Sequence, residues 1–108
     1  MDVYVDVLST CKVIKSLLDS MIDIKEAKRV LIFTTIKVLC DSIEYSAKKE
    51  NAWNTYTAEK MRELLMSCGA VAGIYHHALI PDFSLASTAL NSLESTYLLM
   101  KERASEIG

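Results

Sequence analysis

The sequence predicts an all-α protein, an antiparallel four-helix bundle with heptad-like seams that forms a dimer. Hydrophobic residues make up 51% of its 108 positions, with one proline and three glycines, a composition typical of helices and far from disorder. Apolar residues recur at alternating steps of three and four in four separate stretches. A chain of this length builds one core, so residues 1–108 are predicted to form a single helical-bundle domain with short connections.

The first helix is predicted over residues 3–22. Its apolar seam consists of Tyr4, Val7, Cys11, Ile14, Leu18 and Met21. Asp23 and Glu26 form a capping-box-like pair, which predicts that the chain breaks near residue 23. The alternative is one continuous rod over the first two helices. Heptad spacing disfavours that rod, because continuing the first seam past Met21 at the same spacing would place Lys25 and Lys28 on it.

The second helix is predicted over residues 24–48. Its seam consists of Phe33, Ile36, Cys40, Ile43 and Ala47. A second apolar row lies off that seam and consists of Leu31, Val38 and Tyr45, with Ile32 and Leu39 beside them. This row widens the apolar face beyond what one helix contact requires, so it indicates a further contact.

The third helix is predicted over residues 58–80, after a polar loop and with Thr57 as its N-cap. Its seam consists of Met61, Leu65, Cys68, Ala72, Tyr75 and Leu79. The neighbouring face consists of Met66, Gly69, Gly73, His76 and Ile80. Glycines four residues apart leave room for a second backbone, so this glycine face is a candidate contact surface.

The fourth helix is predicted over residues 83–106, because Pro81 ends the third and Asp82 or Ser84 can cap the fourth. Its seam consists of Phe83, Ala86, Leu90, Leu93, Tyr97, Met100, Ala104 and Ile107.

A membrane span is the alternative interpretation of the uncharged run from Leu64 to Pro81, where the two glycines would form a lipid-type pairing motif. Adjacent histidines, a serine and a tyrosine make the hydropathy of this run poor, so a buried helix is favoured and no membrane association is expected.

Charge and cysteine content narrow the class of protein. The net charge of -2 gives no electrostatic reason to expect nucleic acid, and the cluster Lys25, Lys28 and Arg29 is interpreted as a solvated face. Asp2 and Asp6 stand where a secretory signal would carry basic residues, so a cytoplasmic protein is expected. Its three cysteines lack motif spacing and are predicted to be free thiols.

No catalytic or metal-binding motif occurs in the sequence. Glu-x-x-His, Cys-x-x-Cys, HExxH and glycine-rich phosphate loops are all missing, so we expect no enzyme, no catalytic residue, no cofactor and no metal. His76 and His77 point about 100° apart on a helix and face one ion poorly. One hypothesis puts Cys11, Cys40 and Cys68 at a common level, as a soft-metal site if they converge or, alternatively, as small apolar core residues.

The most favoured function is therefore protein–protein interaction by a small non-enzymatic protein, such as an adaptor, inhibitor, immunity factor or chaperone-like protein. A homodimer is predicted through the glycine face or through the extra row on the second helix. Trp53 either caps the end of the bundle or anchors a partner. The candidate partner-binding residues are Trp53, Tyr56, Met66, Gly69, Gly73, His76 and His77. The alternative is a ligand- or metal-binding bundle, possibly an enzyme, with a pocket near Cys68, Tyr75 and His76.

Overall fold

Four helices make up the secondary structure of the computed structural model, which describes residues 2–75 and 82–107. They are α1 (Val3–Ser20), α2 (Glu26–Lys49), α3 (Thr55–Val71) and α4 (Phe83–Ile107). Helix α1 packs against α2 and α4, and α3 packs against the same two helices. The all-helical prediction is confirmed, and this arrangement fits a four-helix bundle.

The predicted seams of α1, α2 and α4 supply most of the core. All five seam residues of α2 are buried, as are the α1 seam residues from Val7 to Met21. In α4 the seam is buried from Ala86 to Tyr97, whereas Ala104 is exposed near the end of the helix. Alternating steps of three and four thus identified the inward face of three helices correctly.

The first two helices are separate, which excludes the continuous rod. Helix α1 ends at Ser20 and α2 begins at Glu26. The predicted capping pair of Asp23 and Glu26 is wrong, because Lys25 is the N-cap and its side chain makes no capping hydrogen bond.

Helix α3 begins three residues earlier than predicted. Asn54 is its N-cap and accepts a hydrogen bond from the Thr57 N–H at 2.9 Å, while the Thr57 hydroxyl accepts one from the Asn54 N–H at 2.9 Å. Thr57 is therefore the third residue of a capping box rather than the N-cap.

Helix α3 also ends at Val71, so the predicted helix over residues 58–80 is wrong. Gly73 has φ 78°, the left-handed conformation that glycine adopts at low cost. The Ile74 N–H donates to the Gly69 carbonyl at 2.8 Å, and the Gly73 N–H donates to the Ala70 carbonyl at 3.1 Å. These two bonds form a Schellman motif, which closes the helix although the apolar run continues.

The inward face of α3 is turned relative to the prediction. Its buried residues are Thr57, Met61, Leu64, Cys68, Gly69, Ala70 and Val71. Leu64 is fully buried, whereas Leu65 of the predicted seam is only partly buried. The predicted seam residue Leu79 lies outside the described residues.

Helix α2 ends in the same way as α3, with Asn51 at φ 56°. The Ala52 N–H donates to the Ala47 carbonyl at 2.7 Å, and the Asn51 N–H donates to the Lys48 carbonyl at 3.3 Å. Asparagine is the residue that most often replaces glycine in this conformation. Helix α4 begins after Asp82, whose carboxylate accepts a hydrogen bond from the Ser84 N–H at 2.8 Å. Within residues 2–75 and 82–107, no helix is long and apolar enough to cross a bilayer.

Candidate interaction surface on α2

The extra apolar row of α2 is exposed on the side of the helix opposite the core. Leu31 is 76% exposed, Val38 62% and Tyr45 72%. These residues are seven apart, so they lie almost in line along the helix. Most exposed positions of a bundle helix carry charged or polar residues, and large apolar side chains there indicate a contact surface.

The rest of this face is almost free of charge. Thr34 and Thr35 lie between Leu31 and Val38, and their hydroxyls donate to the carbonyls of Val30 and Leu31 at 2.9 and 3.2 Å. Because these hydroxyls are already bonded to the helix backbone, they make little demand on water or a partner. We call the surface formed by Leu31, Thr34, Thr35, Val38, Ser42 and Tyr45 the outer face of α2.

The two edges of the outer face differ in charge. Ile32 and Leu39 follow one edge and are partly buried against the core. Lys37 and Asp41 follow the other edge and are exposed. Among the described residues the ion pairs are Lys48 with Glu44 and Lys60 with Glu63, so Lys37 and Asp41 belong to neither. The outer face thus has one apolar edge and one edge with charges of both signs.

The glycine face of the sequence prediction is covered by the chain itself. The Tyr75 ring lies over Gly69 so closely that a side chain at this glycine would collide with it. The same ring meets Phe33 edge to face, with ring centroids 6.3 Å apart. Gly73 lies outside the helix and against the side chain of Glu26. The expectation of two glycines four apart on one open helix face is therefore wrong.

The other candidate partner-binding residues differ in exposure where the structure describes them. Trp53 is partly buried against the core, which agrees with the end-capping interpretation. Tyr56 and Met66 on α3 are exposed, and the Lys60 ammonium lies 5.3 Å from the Tyr56 ring centroid. His76 and His77 lie outside the described residues. Of the pocket proposed as the alternative site, Cys68 is fully buried and His76 lies outside that part of the chain.

The three cysteines are free thiols in the core, as predicted. Burial raises the pKa of Cys11 and of Cys68 from 9.0 to about 12. Burial also raises the pKa of Cys40, and the nearby Cys68 and Cys11 raise it further. Protonated thiols are weak nucleophiles and weak metal ligands. Across residues 2–75 and 82–107, no group of three His, Cys, Asp or Glu side chains is arranged to hold a metal ion.

Raised thiol pKa values make the fold sensitive to alkaline pH. The folded chain keeps its thiols protonated above pH 9, where the unfolded chain loses those protons. The stabilisation is therefore complete below pH 9 and is lost as the pH rises towards about 12. We expect the free energy of unfolding, measured by urea denaturation at pH 8 to 11, to fall above pH 9. The Cys40→Ala variant should fall less steeply, and equal slopes for the two proteins would contradict this assignment.

Arg29 is a structural residue that the sequence interpretation missed. Its guanidinium donates to the carbonyls of Met21 at 2.8 Å and Val71 at 2.9 Å. It also lies 5.0 Å from the centroid of the Phe83 ring. The interpretation as a solvated residue is wrong, because Arg29 joins the ends of α1 and α3 to the beginning of α4.

Tyr97 makes a comparable structural contact near the end of α2, whereas Arg29 lies near the beginning of that helix. Its ring is fully buried and its hydroxyl donates to the Ala52 carbonyl at 2.8 Å. Burial raises the pKa of Tyr97 to about 12, and the neighbouring Thr57 hydroxyl lowers it by a smaller amount. A buried tyrosine whose hydroxyl has a partner stabilises the fold and leaves no reactive group.

Comparisons with known proteins give no family assignment. No family model, curated protein or solved structure matches this chain.

Proposed function

We propose that this chain is a non-enzymatic cytoplasmic protein that acts by binding proteins through the outer face of α2, and that it self-associates. The exposed row of Leu31, Val38 and Tyr45 is the observation that carries this proposal. Adaptors, inhibitors, immunity factors and chaperone-like proteins all act in this way. With a net charge of -2, nucleic acid is not an expected partner, and the poor hydropathy of the run from Leu64 to Pro81 gives no reason to expect a membrane.

Other features of the described residues support the outer face as the binding surface. The three exposed side chains share one side of one helix, and the threonine hydroxyls between them bond to backbone carbonyls. A partner would bury apolar side chains and the threonine methyl groups there while the two threonine hydroxyls stay bonded to backbone carbonyls, and burial of apolar groups is the main favourable term in association. The glycine face offers less, because Tyr75 already covers Gly69.

We further infer that consecutive helices of the bundle run antiparallel. Arg29, near the beginning of α2, bonds to carbonyls at the ends of α1 and α3 and contacts Phe83 at the beginning of α4. Tyr97, well along α4, bonds to Ala52 beyond the end of α2. These contacts support an up-down order of helices with short connections.

Site-specific photo-crosslinking in the native cells tests the proposed function. A photoreactive residue at Val38 should give discrete protein adducts, and the same residue at exposed Lys12 on α1 should not. The adducts should disappear when Leu31→Glu and Tyr45→Glu are added, because both changes put charge on the same face. An adduct pattern that is identical at positions 38 and 12 would contradict the proposal.

A further inference from the structure

We propose that the outer face of α2 binds a second copy of this chain, with the two α2 helices antiparallel about a two-fold axis near Val38. This inference rests on the proposed function, since it names the occupant of the same surface. It commits to one pairing direction and one register, both of which follow from the pattern of side chains along α2.

The apolar row is symmetric about Val38. Leu31 and Tyr45 are each seven residues from it, or about 10 Å along the helix axis. An antiparallel copy therefore brings Leu31 opposite Tyr45 of the partner subunit, and Tyr45 opposite the partner's Leu31. The two Val38 side chains meet at the axis. A contact in which one patch meets itself closes as a dimer and does not propagate.

The charged edge of the outer face favours antiparallel over parallel pairing of the two α2 helices. In an antiparallel pair each edge of the contact lies against the same edge of the other helix, in reverse order. Along the axis, Lys37 then lies about 3 Å from Asp41 of the partner subunit and about as far from the partner's Lys37. Helix side chains tilt towards the N-terminus of their own helix, so the two lysines lean apart while each leans towards the opposite aspartate. Each Lys37 meets Asp41 of the partner subunit, so the contact gains two ion pairs between side chains that belong to neither ion pair described within the chain.

A parallel pairing does not use these charges. It would set the charged edge against the other edge, where Ile32 and Leu39 lie. Lys37 and Asp41 would then face apolar side chains instead of opposite charges, at a desolvation cost. Charge complementarity therefore favours the antiparallel dimer.

The strength of this dimer is limited by its width. The contact involves one helix from each copy, which is narrower than a standard interface of about 800 Å² per partner. We therefore expect a dimer that dissociates on dilution, and its dissociation constant is the quantity to measure.

A mixing experiment with opposite charge reversals tests the inference. In Lys37→Glu two acids face each other across the axis, and in Asp41→Lys two bases do. Each variant alone should dimerise about tenfold more weakly than the natural chain. Their equimolar mixture should recover dimerisation to within about threefold, because both cross-axis pairs are then opposite in charge. Sedimentation equilibrium gives the dissociation constants, and circular dichroism confirms equal helicity.

Other outcomes would overturn the inference in distinguishable ways. A mixture that dimerises no better than the two variants alone would exclude this direction and register. A natural chain that stays monomeric, while photo-crosslinking at Val38 captures a different protein, would exclude self-association and leave only the binding of another protein through the outer face. A monomer that gives no adduct specific to Val38 would exclude both.

Discussion

Replacing Leu64 by alanine is expected to lower the free energy of unfolding by about 3 kcal/mol. Leu64 lies on α3 and is fully buried, so its truncation removes apolar contacts and leaves a cavity. Urea unfolding followed by circular dichroism measures this change, with no loss of helical signal in the folded baseline.

The adjacent leucine provides the matched control. Leu65 lies on the same helix with the same side chain, but it is only partly buried. Leu65→Ala is expected to cost less than half as much as Leu64→Ala, roughly 1 kcal/mol. A larger cost at Leu65 than at Leu64 would contradict the inward face described above, which contains Leu64. It would favour the seam predicted from the sequence, which contains Leu65.

Replacing Arg29 by methionine is expected to cost about 3 kcal/mol of folding free energy, the second large effect. Methionine keeps most of the apolar stem but loses the bonds to the carbonyls of Met21 and Val71 and the contact with the Phe83 ring. These carbonyls lie at the ends of two helices, where they have no intrahelical donor, and without the guanidinium the Met21 carbonyl keeps the long contact from the Ile24 N–H at 3.5 Å.

Lys28→Met is the control for Arg29→Met. Lys28 belongs to the same basic cluster but is exposed, and its loss should change the free energy of unfolding by less than about 0.5 kcal/mol. Chemical denaturation of both variants at the same ionic strength gives the comparison. Equal effects at the two positions would show that Arg29 acts only through the net charge of the cluster.

The inward faces of α1, α2 and α4 were predictable because they depend on local periodicity. Burial of an amphipathic helix requires apolar residues every three or four positions, and Phe33, Ile36 and Cys40 follow that rule. The surplus row containing Val38 was predictable for the same reason. Its apolar residues lie off the α2 seam, so the contact made by that seam could not bury them.

The end of α3 was not predictable from hydropathy. The run after Val71 stays apolar, so its composition gives no sign of a break, while Gly73 adopts a left-handed conformation that helices do not use internally. A glycine just past the end of a helix is a recognised signal, but the same residue also fits a helix contact motif. The capping box was readable from Asn54, three residues before Thr57.

The role of Arg29 was hidden for a different reason. Its partners are backbone carbonyls, which every residue carries, and Val71 is 42 positions away in the sequence. A local charge pattern cannot reveal such a contact, because the folded chain alone brings the helix ends together. The Tyr75 ring likewise lies over Gly69 because of the turn after α3, and hydropathy does not predict that turn.

The most direct test of the outer face of α2 as an interaction surface is the mass of the protein in solution over a range of concentrations, by light scattering after size exclusion. The natural chain should rise from 12.1 kDa towards twice that mass, while Val38→Asp should remain at 12.1 kDa with unchanged helicity. A natural chain that stays at 12.1 kDa throughout, or a Val38→Asp variant that dimerises as the natural chain does, would contradict self-association through this face.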